Sequence, residues 1–280
     1  MSGTEAPTAV SVMVFTLDEE IHIASCLESL RWTDDVIVVD SFSKDRTAAL
    51  ARSAGARVYE HAFEGFGKQR MWAFENADPR YEWILVLDAD ERVPPELARE
   101  IGERVKSAPE AIGAFRVKRR FHMWGRWLRH SNLYPTWVVR LVRRGRVTYV
   151  NKGHSETQDV RGDILELEHD LVDENLKGVD EWFERQNRYA SKEAQFEVDQ
   201  EKQPFAPSTL VSGDPMVRRI ALKRVVARMP FRALAYFLHS YIVRGGFLEG
   251  RDGLAFCRMK AVYQQMIVAK KHALRRREET

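Results

Sequence analysis

"WILVLDADERVPPE" (Trp83–Glu96) opens with five apolar residues, Trp83 to Leu87, and then changes at once to Asp88-Ala89-Asp90-Glu91. A short unbroken apolar run reads as a strand buried on both faces, as in parallel sheets. Three acids among the next four residues then stand at its carboxyl end, where open α/β sheets gather their ligands. Pro94-Pro95 follow and open a helix, where a missing backbone N–H does little harm.

Upstream, the same alternation repeats. "VSVMVFTLDEE" is a β-branched run ending in polar residues, followed by a helical stretch from Glu20 to Leu30. "DDVIVVDSFSKDRT" holds a second strand, Val36 to Val39, ending at Asp40, and "TAALARSAGA" a helix closed by Gly55. "RVYEH" is a third strand and "GFGKQRMWAFENA" a loop running into a helix. Strands alternating with helices predict parallel βαβ units, which place Asp40, Asp88 and Asp90 along one sheet edge.

Downstream the pattern changes. "AFRVKRRFHMWGRWLRH" and "TWVVRLVRRGRVTYV" predict antiparallel or irregular strands, and "LVDENLKGVDEWFERQNRYASKEAQFEVDQEK" a long helical stretch. "PFAPSTLVSGDP" is a linker into a basic tail. The predicted organisation is a main domain over 1–203, a linker over 204–215 and a basic helical extension over 216–280.

The chain has 280 residues, enough for a sizeable core, and 44% hydrophobic with 30% charged residues is ordinary for a globular protein. Its net charge of +3 is unevenly spread: residues 216–280 hold 15 Lys and Arg against 4 Asp and Glu, a net of +11, leaving −8 for the rest. Cys26 and Cys257 lack metal-ligand spacing and read as reduced thiols of a cytoplasmic protein. "MSGTEAPTAV" has no basic start and no apolar core, so no signal peptide is expected. No run approaches the roughly 20 apolar residues of a spanning helix.

An Asp-x-Asp at a strand end can hold a hard divalent cation, which in turn can bind a diphosphate and offset the charge developing as it leaves. The tripeptide alone is common in acidic sequences; its place at a strand end, beside Asp40, sets it apart. Other phosphate and hydrolytic solutions are missing: there is no G-x-x-x-x-G-K-[ST], no full G-x-G-x-x-G, no His-Glu-x-x-His and no G-x-S-x-G.

"SVMVFTLDEEIHIASCLESL", "DDVIVVDSFSKDRT", "FEGFGKQRMWAFENA" and "WILVLDADERVPPELAREI" together resemble, in order and spacing, the family-2 glycosyltransferases of GT-A fold. The nearest branch contains lipopolysaccharide inner-core β-1,4-glucosyltransferases. The resemblance covers about residues 10–200, with a weaker echo at "YIVRGGFLEGRDGL". It implies an α/β Rossmann-like, mainly parallel sheet flanked by helices, and an inverting transfer from a nucleotide-diphosphate sugar, with UDP-glucose first and Mg²⁺ or Mn²⁺ as cofactor.

It also implies roles. Thr16 and Glu19 would line the nucleoside pocket and Asp40 would bind base or ribose. Lys68 and Arg70 would face the diphosphate; Asp88 and Asp90 match the metal motif, Asp90 as the direct ligand. The sequence departs from the family at Leu17-Asp18, usually Lys-Asn, and at Phe42, usually Gly. For the base that takes the acceptor proton, "NKGHSE" supplies Glu156, with His154 as orienting neighbour or rival and Asp159 as a further alternative. His169 matches another family position that would line the acceptor or phosphate site.

"WGRWLRH" interleaves aromatic and basic residues, which suits sugar rings and phosphates, or single-stranded nucleic acid. With the nucleotide-sugar motifs beside it, a lipid-linked glycan is the expected acceptor and nucleic acid is not an expected partner. The basic tail, whose arginines scatter around its helices, predicts association with the anionic inner face of the cytoplasmic membrane. The alternatives are a sugar-nucleotide pyrophosphorylase, which needs a glycine-rich loop that "VFTLDEEIHIA" lacks, and a non-catalytic membrane-surface scaffold of the same fold.

Overall fold

The computed structural model describes residues 7–152, 155–202, 206–226, 229 and 231–278. The chain forms two compact units: Met1–Trp127 with Leu133–Leu176, and Leu128–Asn132 with Lys177–Thr280.

The first unit runs β1 (Val10–Thr16), α1 (Glu20–Glu28), β2 (Asp35–Asp40), α2 (Thr47–Ser53), β3 (Arg57–Glu60), α3 (Phe66–Asn76), β4 (Trp83–Asp88), β5 (Glu91–Arg92) and α4 (Pro95–Ser107). It continues with β6 (Ile112–Met123), β7 (Arg126–Trp127), β8 (Trp137–Arg143), β9 (Val147–Lys152), β10 (Ser155–Val160) and β11 (Asp163–Asn175). One mixed sheet has the order β3-β2-β1-β4-β8-β6-β11-β5, with β7 paired to β6, and β9 and β10 form a separate hairpin. β3, β2, β1 and β4 are mutually parallel, whereas β8 joins β4 and β6 antiparallel. The fold is therefore the expected α/β one, with a mixed sheet between helices.

Side-chain alternation explains the layers. Val10, Val12 and Val14 of β1, Val38 of β2 and Leu85 and Leu87 of β4 point to one face, against Ile23, Cys26 and Leu27 of α1 and Leu97, Ala98 and Ile101 of α4. Met13, Ile37, Val39, Ile84 and Val86 point to the other, against Ala73 of α3. Each such buried aliphatic contributes about 1.5–3 kcal/mol relative to exposure. Both faces being covered, these strands need no polar alternation, hence their continuous apolar runs. The parallel register sets Thr16 beside Asp40, and Phe15 beside Asp88.

One expectation fails: "LVDEN" is not helical. Residues 171–175 end β11, bonded in parallel to β6, while Val172 and Asp173 pair with Arg92 and Glu91 of β5. The acid-rich composition resembled a helix start, but two neighbouring strands take its backbone groups.

The second unit holds α5 (Gly178–Glu201), α6 (Pro215–Val226), α7 (Arg232–Leu238) and α8 (Gly250–Glu278). Ala190 and Ala194 of α5 pack on Ile267 of α8, with Tyr263, Met266 and Leu274 around them. That contact groups α5 with the C-terminal helices, although the sequence reading carries the main domain to residue 203. Within this unit Glu249 is buried and accepts from the backbone N–H of His130 (2.6 Å) and Ser131 (3.0 Å) and from the Ser131 hydroxyl. Gly253 makes the turn before it possible: a Cβ there would lie 2.1 Å from the Gly246 carbonyl oxygen.

Candidate active site

The carboxyl ends of β1, β2 and β4 carry Thr16, Asp40 and Asp88, and hydrogen bonds tie the loops that follow. Asp40 is buried and accepts from the Thr16 hydroxyl (2.8 Å) at Oδ1, and from the Ser43 hydroxyl (2.6 Å, Oδ1) and backbone N–H (2.8 Å, Oδ2). Ser43 Oγ in turn accepts from the N–H of Asp18, whose carboxylate accepts from the N–H of Lys44 at 2.7 Å. The two departures from the family pattern fall in this latch. Asp18 (φ 53°) and Phe42 (φ 59°) both hold left-handed backbone, which suits a short Asx side chain and strains a phenylalanine.

Glu19 accepts from Nδ1 of the buried His22 at 2.6 Å, while Nε2 of that ring accepts the Leu176 N–H at 2.8 Å. A nitrogen accepting a backbone proton carries none of its own, so the ring is the neutral Nδ1–H tautomer aimed at Glu19.

Asp88 is clamped by two arginines: Arg70 Nη2 donates to Oδ1 (2.9 Å) and Arg140 Nη2 to Oδ2 (2.7 Å). Arg140 also donates to Glu91 Oε1 at 2.6 Å, and Glu91 Oε2 accepts the Asp88 N–H at 3.0 Å. Arg119 Nε lies 3.1 Å from Asp173, with its Nη1 3.8 Å from Glu91. Burial works against the Asp88 charge, but Arg140 and Arg70 outweigh it and hold the carboxyl well below the usual range.

Asp90 sits in the opposite environment. Burial, then Asp173, Asp88, Glu91 and Glu19, push its carboxyl well above the usual range, and among the described residues no cation pairs with it. Arg70, Arg119 and Arg140 thus serve Asp88, Glu91 and Asp173, and none of the three pairs with Asp90. A divalent cation fits that donor set in charge and hardness. Among the described residues no three His, Cys, Asp or Glu side chains converge to hold an ion by themselves.

The structure brings together Thr16 with Asp40, and Arg70 with Asp88. Lys68 does not join them. Both lie on α3, two residues and so about 200° apart around the helix. Arg70 is 4% exposed, between the rings of Phe15 and Tyr149 (5.5 Å each), whereas Lys68 is 63% exposed and pairs with Glu64 at 3.0 Å. His169 pairs through Nδ1 with Glu100 of α4 at 2.9 Å. His154 lies outside the described residues. Glu156 is described in its backbone alone, opposite Asn151 in the β9–β10 hairpin; Asp159 is exposed on the same hairpin.

Sequence reasoning missed Arg140, Arg119, Asp173 and His22. Arg140 left a signal: a lone cation inside the apolar strand "WVVRLV", where an unpaired charge is rarely tolerated. The Trp/Arg segment divides between the units. Trp124 (φ 55°) and Gly125 (φ 71°) form the β6–β7 turn, and Arg120 stacks over Trp127 at 5.2 Å.

The sequence profile of glycosyl transferase family 2 matches residues 11–164. The chain is 27% identical to the lipopolysaccharide core biosynthesis glycosyltransferase LpsC of Rhizobium meliloti, over 96% of this chain and 94% of that one. It is 37% identical to an uncharacterized glycosyltransferase of Rickettsia typhi over 93 residues, 33% of this chain and 31% of that protein. Among solved structures, glucosyl-3-phosphoglycerate synthase of Mycobacterium tuberculosis, in complex with Mn²⁺ and UDP-glucose, is similar at a TM-score of 0.34 and 24% identity, covering 41% of this chain and 44% of that one. The profile spans more than half of the sequence, from β1 into β11, and the chain belongs to glycosyl transferase family 2.

Proposed function

We propose that this glycosyltransferase moves a hexose, glucose first, from a nucleotide-diphosphate sugar to a hydroxyl of a lipid-linked glycan of the lipopolysaccharide-core type, with inversion. The observation that carries the reading is Asp90 at the end of β4, two residues beyond the arginine-clamped Asp88 and paired with no cation among the described residues. The full-length likeness to a lipopolysaccharide core enzyme supports the acceptor class.

In this reading Asp90 holds Mg²⁺ or Mn²⁺, which supplies Lewis-acid stabilisation of the leaving diphosphate. Arg140 keeps Asp88 ionised, Glu91 helps to fix it by accepting its backbone N–H, and Asp88 with Arg70 orients the donor. Thr16, Glu19 and Asp40 form the nucleoside side of the site. The acceptor oxygen forms its bond to the anomeric carbon as the bond to the diphosphate oxygen breaks, on opposite faces of the sugar. Its proton passes to a carboxylate or imidazole, for which Glu156 is proposed with His154 and Asp159 as rivals. The acceptor places the work at the inner face of the cytoplasmic membrane, approached from the cytoplasm.

Calorimetric titration of UDP-glucose with and without Mg²⁺ or Mn²⁺, on wild type and Asp90→Asn, tests the reading. Metal-dependent binding lost in the variant is expected. Metal-dependent binding that survives in Asp90→Asn would remove Asp90 as the ligand, and metal-independent binding in wild type would remove the metal.

A further inference from the structure

The second unit leaves an apolar ridge uncovered. Arg232, at the start of α7, donates from Nη1 to both oxygens of Glu197 (2.7 and 2.9 Å) and from Nε to Gln264 (2.6 Å), which fixes α7 on α5 and α8. Phe231, Leu234, Leu238 and Ile242 recur at helical spacing along a stripe turned away from Arg232. Val243 follows in a π-helical turn (His239–Val243), then Phe247 and Leu248 in a 3₁₀ turn (Gly246–Glu249). All seven are exposed, from 43% at Leu238 to 75% at Val243. Single exposed leucines need no explanation; seven large apolar side chains within 18 residues mark an interaction surface.

Charge identifies what covers it. From Pro215 to Leu248 the chain holds seven Lys or Arg and no Asp or Glu. Arg244 donates to the carbonyls of His130 and Asn132 rather than to a carboxylate, so its charge stays unneutralised. Arg251, just past Leu248, is exposed. The ridge segment itself carries no acid, so a second copy docked face to face on it would offer Arg244 no carboxylate. An anionic bilayer offers acyl chains for the ridge and phosphates for the arginines. Among the described residues no helix is long and apolar enough to cross a membrane, so the contact is interfacial.

We infer that the Phe231–Leu248 ridge is the surface with which the chain lies on an anionic bilayer, its apolar side chains in the headgroup region and the flanking Arg244 and Arg251 on lipid phosphates. This deepens the membrane-surface part of the proposed function and rests on it.

The test is co-sedimentation of the full chain with phosphatidylcholine vesicles with and without about 30% phosphatidylglycerol, for wild type and Leu234→Glu/Leu238→Glu. Salt-sensitive binding to the anionic vesicles is expected, weakened at least about tenfold in the double variant. Phe231→Trp reads insertion without adding charge: the emission of the variant minus that of wild type, which carries seven tryptophans of its own, should shift blue and be quenched by brominated lipid. Should the double variant fail to fold, that signal decides alone. Undiminished binding by a folded double variant, or unquenched indole fluorescence from bound Phe231→Trp protein, overturns the assignment. So does absence of vesicle binding, with a wild-type dimer that the double variant dissociates pointing to a second copy. Lipid-free calorimetry of UDP-glucose on the same samples keeps failure of the ridge distinct from failure of the donor reading.

Discussion

Both units hold an ion-pair network, and the two differ in whether every acid finds a cation. At the end of β4, Arg70, Arg119 and Arg140 meet Asp88, Glu91 and Asp173, and among the described residues no cation pairs with Asp90. In the helical unit, Glu197 is met by Arg232 and Lys271, and Glu201 by Lys271 and Arg275. Buried charges are costly unless paired, so an acid left without a cation points to a partner supplied from outside. At the sheet edge the proposed partner is a cation with a nucleotide diphosphate. In the helical unit the proposed partner, an anionic bilayer, meets instead the exposed apolar ridge flanked by Arg244 and Arg251.

The largest expected effect tests Asp90 at the sheet edge directly. Asp90→Asn should lower turnover at least about 1,000-fold, measured as nucleotide release, while leaving urea stability equal or higher because a repelled charge is gone. Wild-type turnover in that variant would break the comparison at its strongest point.

Arg140→Met comes next. It strips two carboxylates, Asp88 and Glu91, of their shared donor and should cost about 3–5 kcal/mol in urea unfolding. Arg232→Met leaves Glu197 still paired with Lys271 at 2.8 Å and should cost about half as much. Equal losses would mean that the two networks are not distinguished by how their acids are shared.

Within α3, Arg70→Ala should weaken donor binding at least about tenfold, and Lys68→Ala less than about twofold, by titration calorimetry. The reverse order would put the diphosphate on the exposed face of the helix. The smallest effect is at Phe42. Replacing it with glycine relieves left-handed backbone and should raise stability by up to about 1 kcal/mol, read as a higher Tm. A loss of stability or of donor affinity would show that the ring itself has a role at the mouth of the site.

The first half of the fold was legible because its strands are buried on both faces and speak in unbroken apolar runs. "VSVMVF", "VIVV" and "WILVL" each became a strand of the parallel half-sheet, with Thr16, Asp40 and Asp88 at their ends. "LVDEN" was misread because its strand is stabilised by pairing with β5 and β6, distant in sequence, and not by its own composition. Lys68 and Arg70 looked equivalent in a linear motif, yet helical geometry sends them to different surroundings.

The sequence by itself determined the α/β class, the sheet edge that bears the acids and the asymmetry between an acidic body and a basic tail. These follow from local periodicity and composition. Only the tertiary structure decided which acid is clamped and which is left without a cation, because strand pairing brings Arg140 to Asp88 across 52 residues and Asp173 to Glu91 across 82 (173 − 91). It likewise decided which apolar residues of the tail remain exposed, since that depends on the face by which Arg232 anchors α7 to its neighbours.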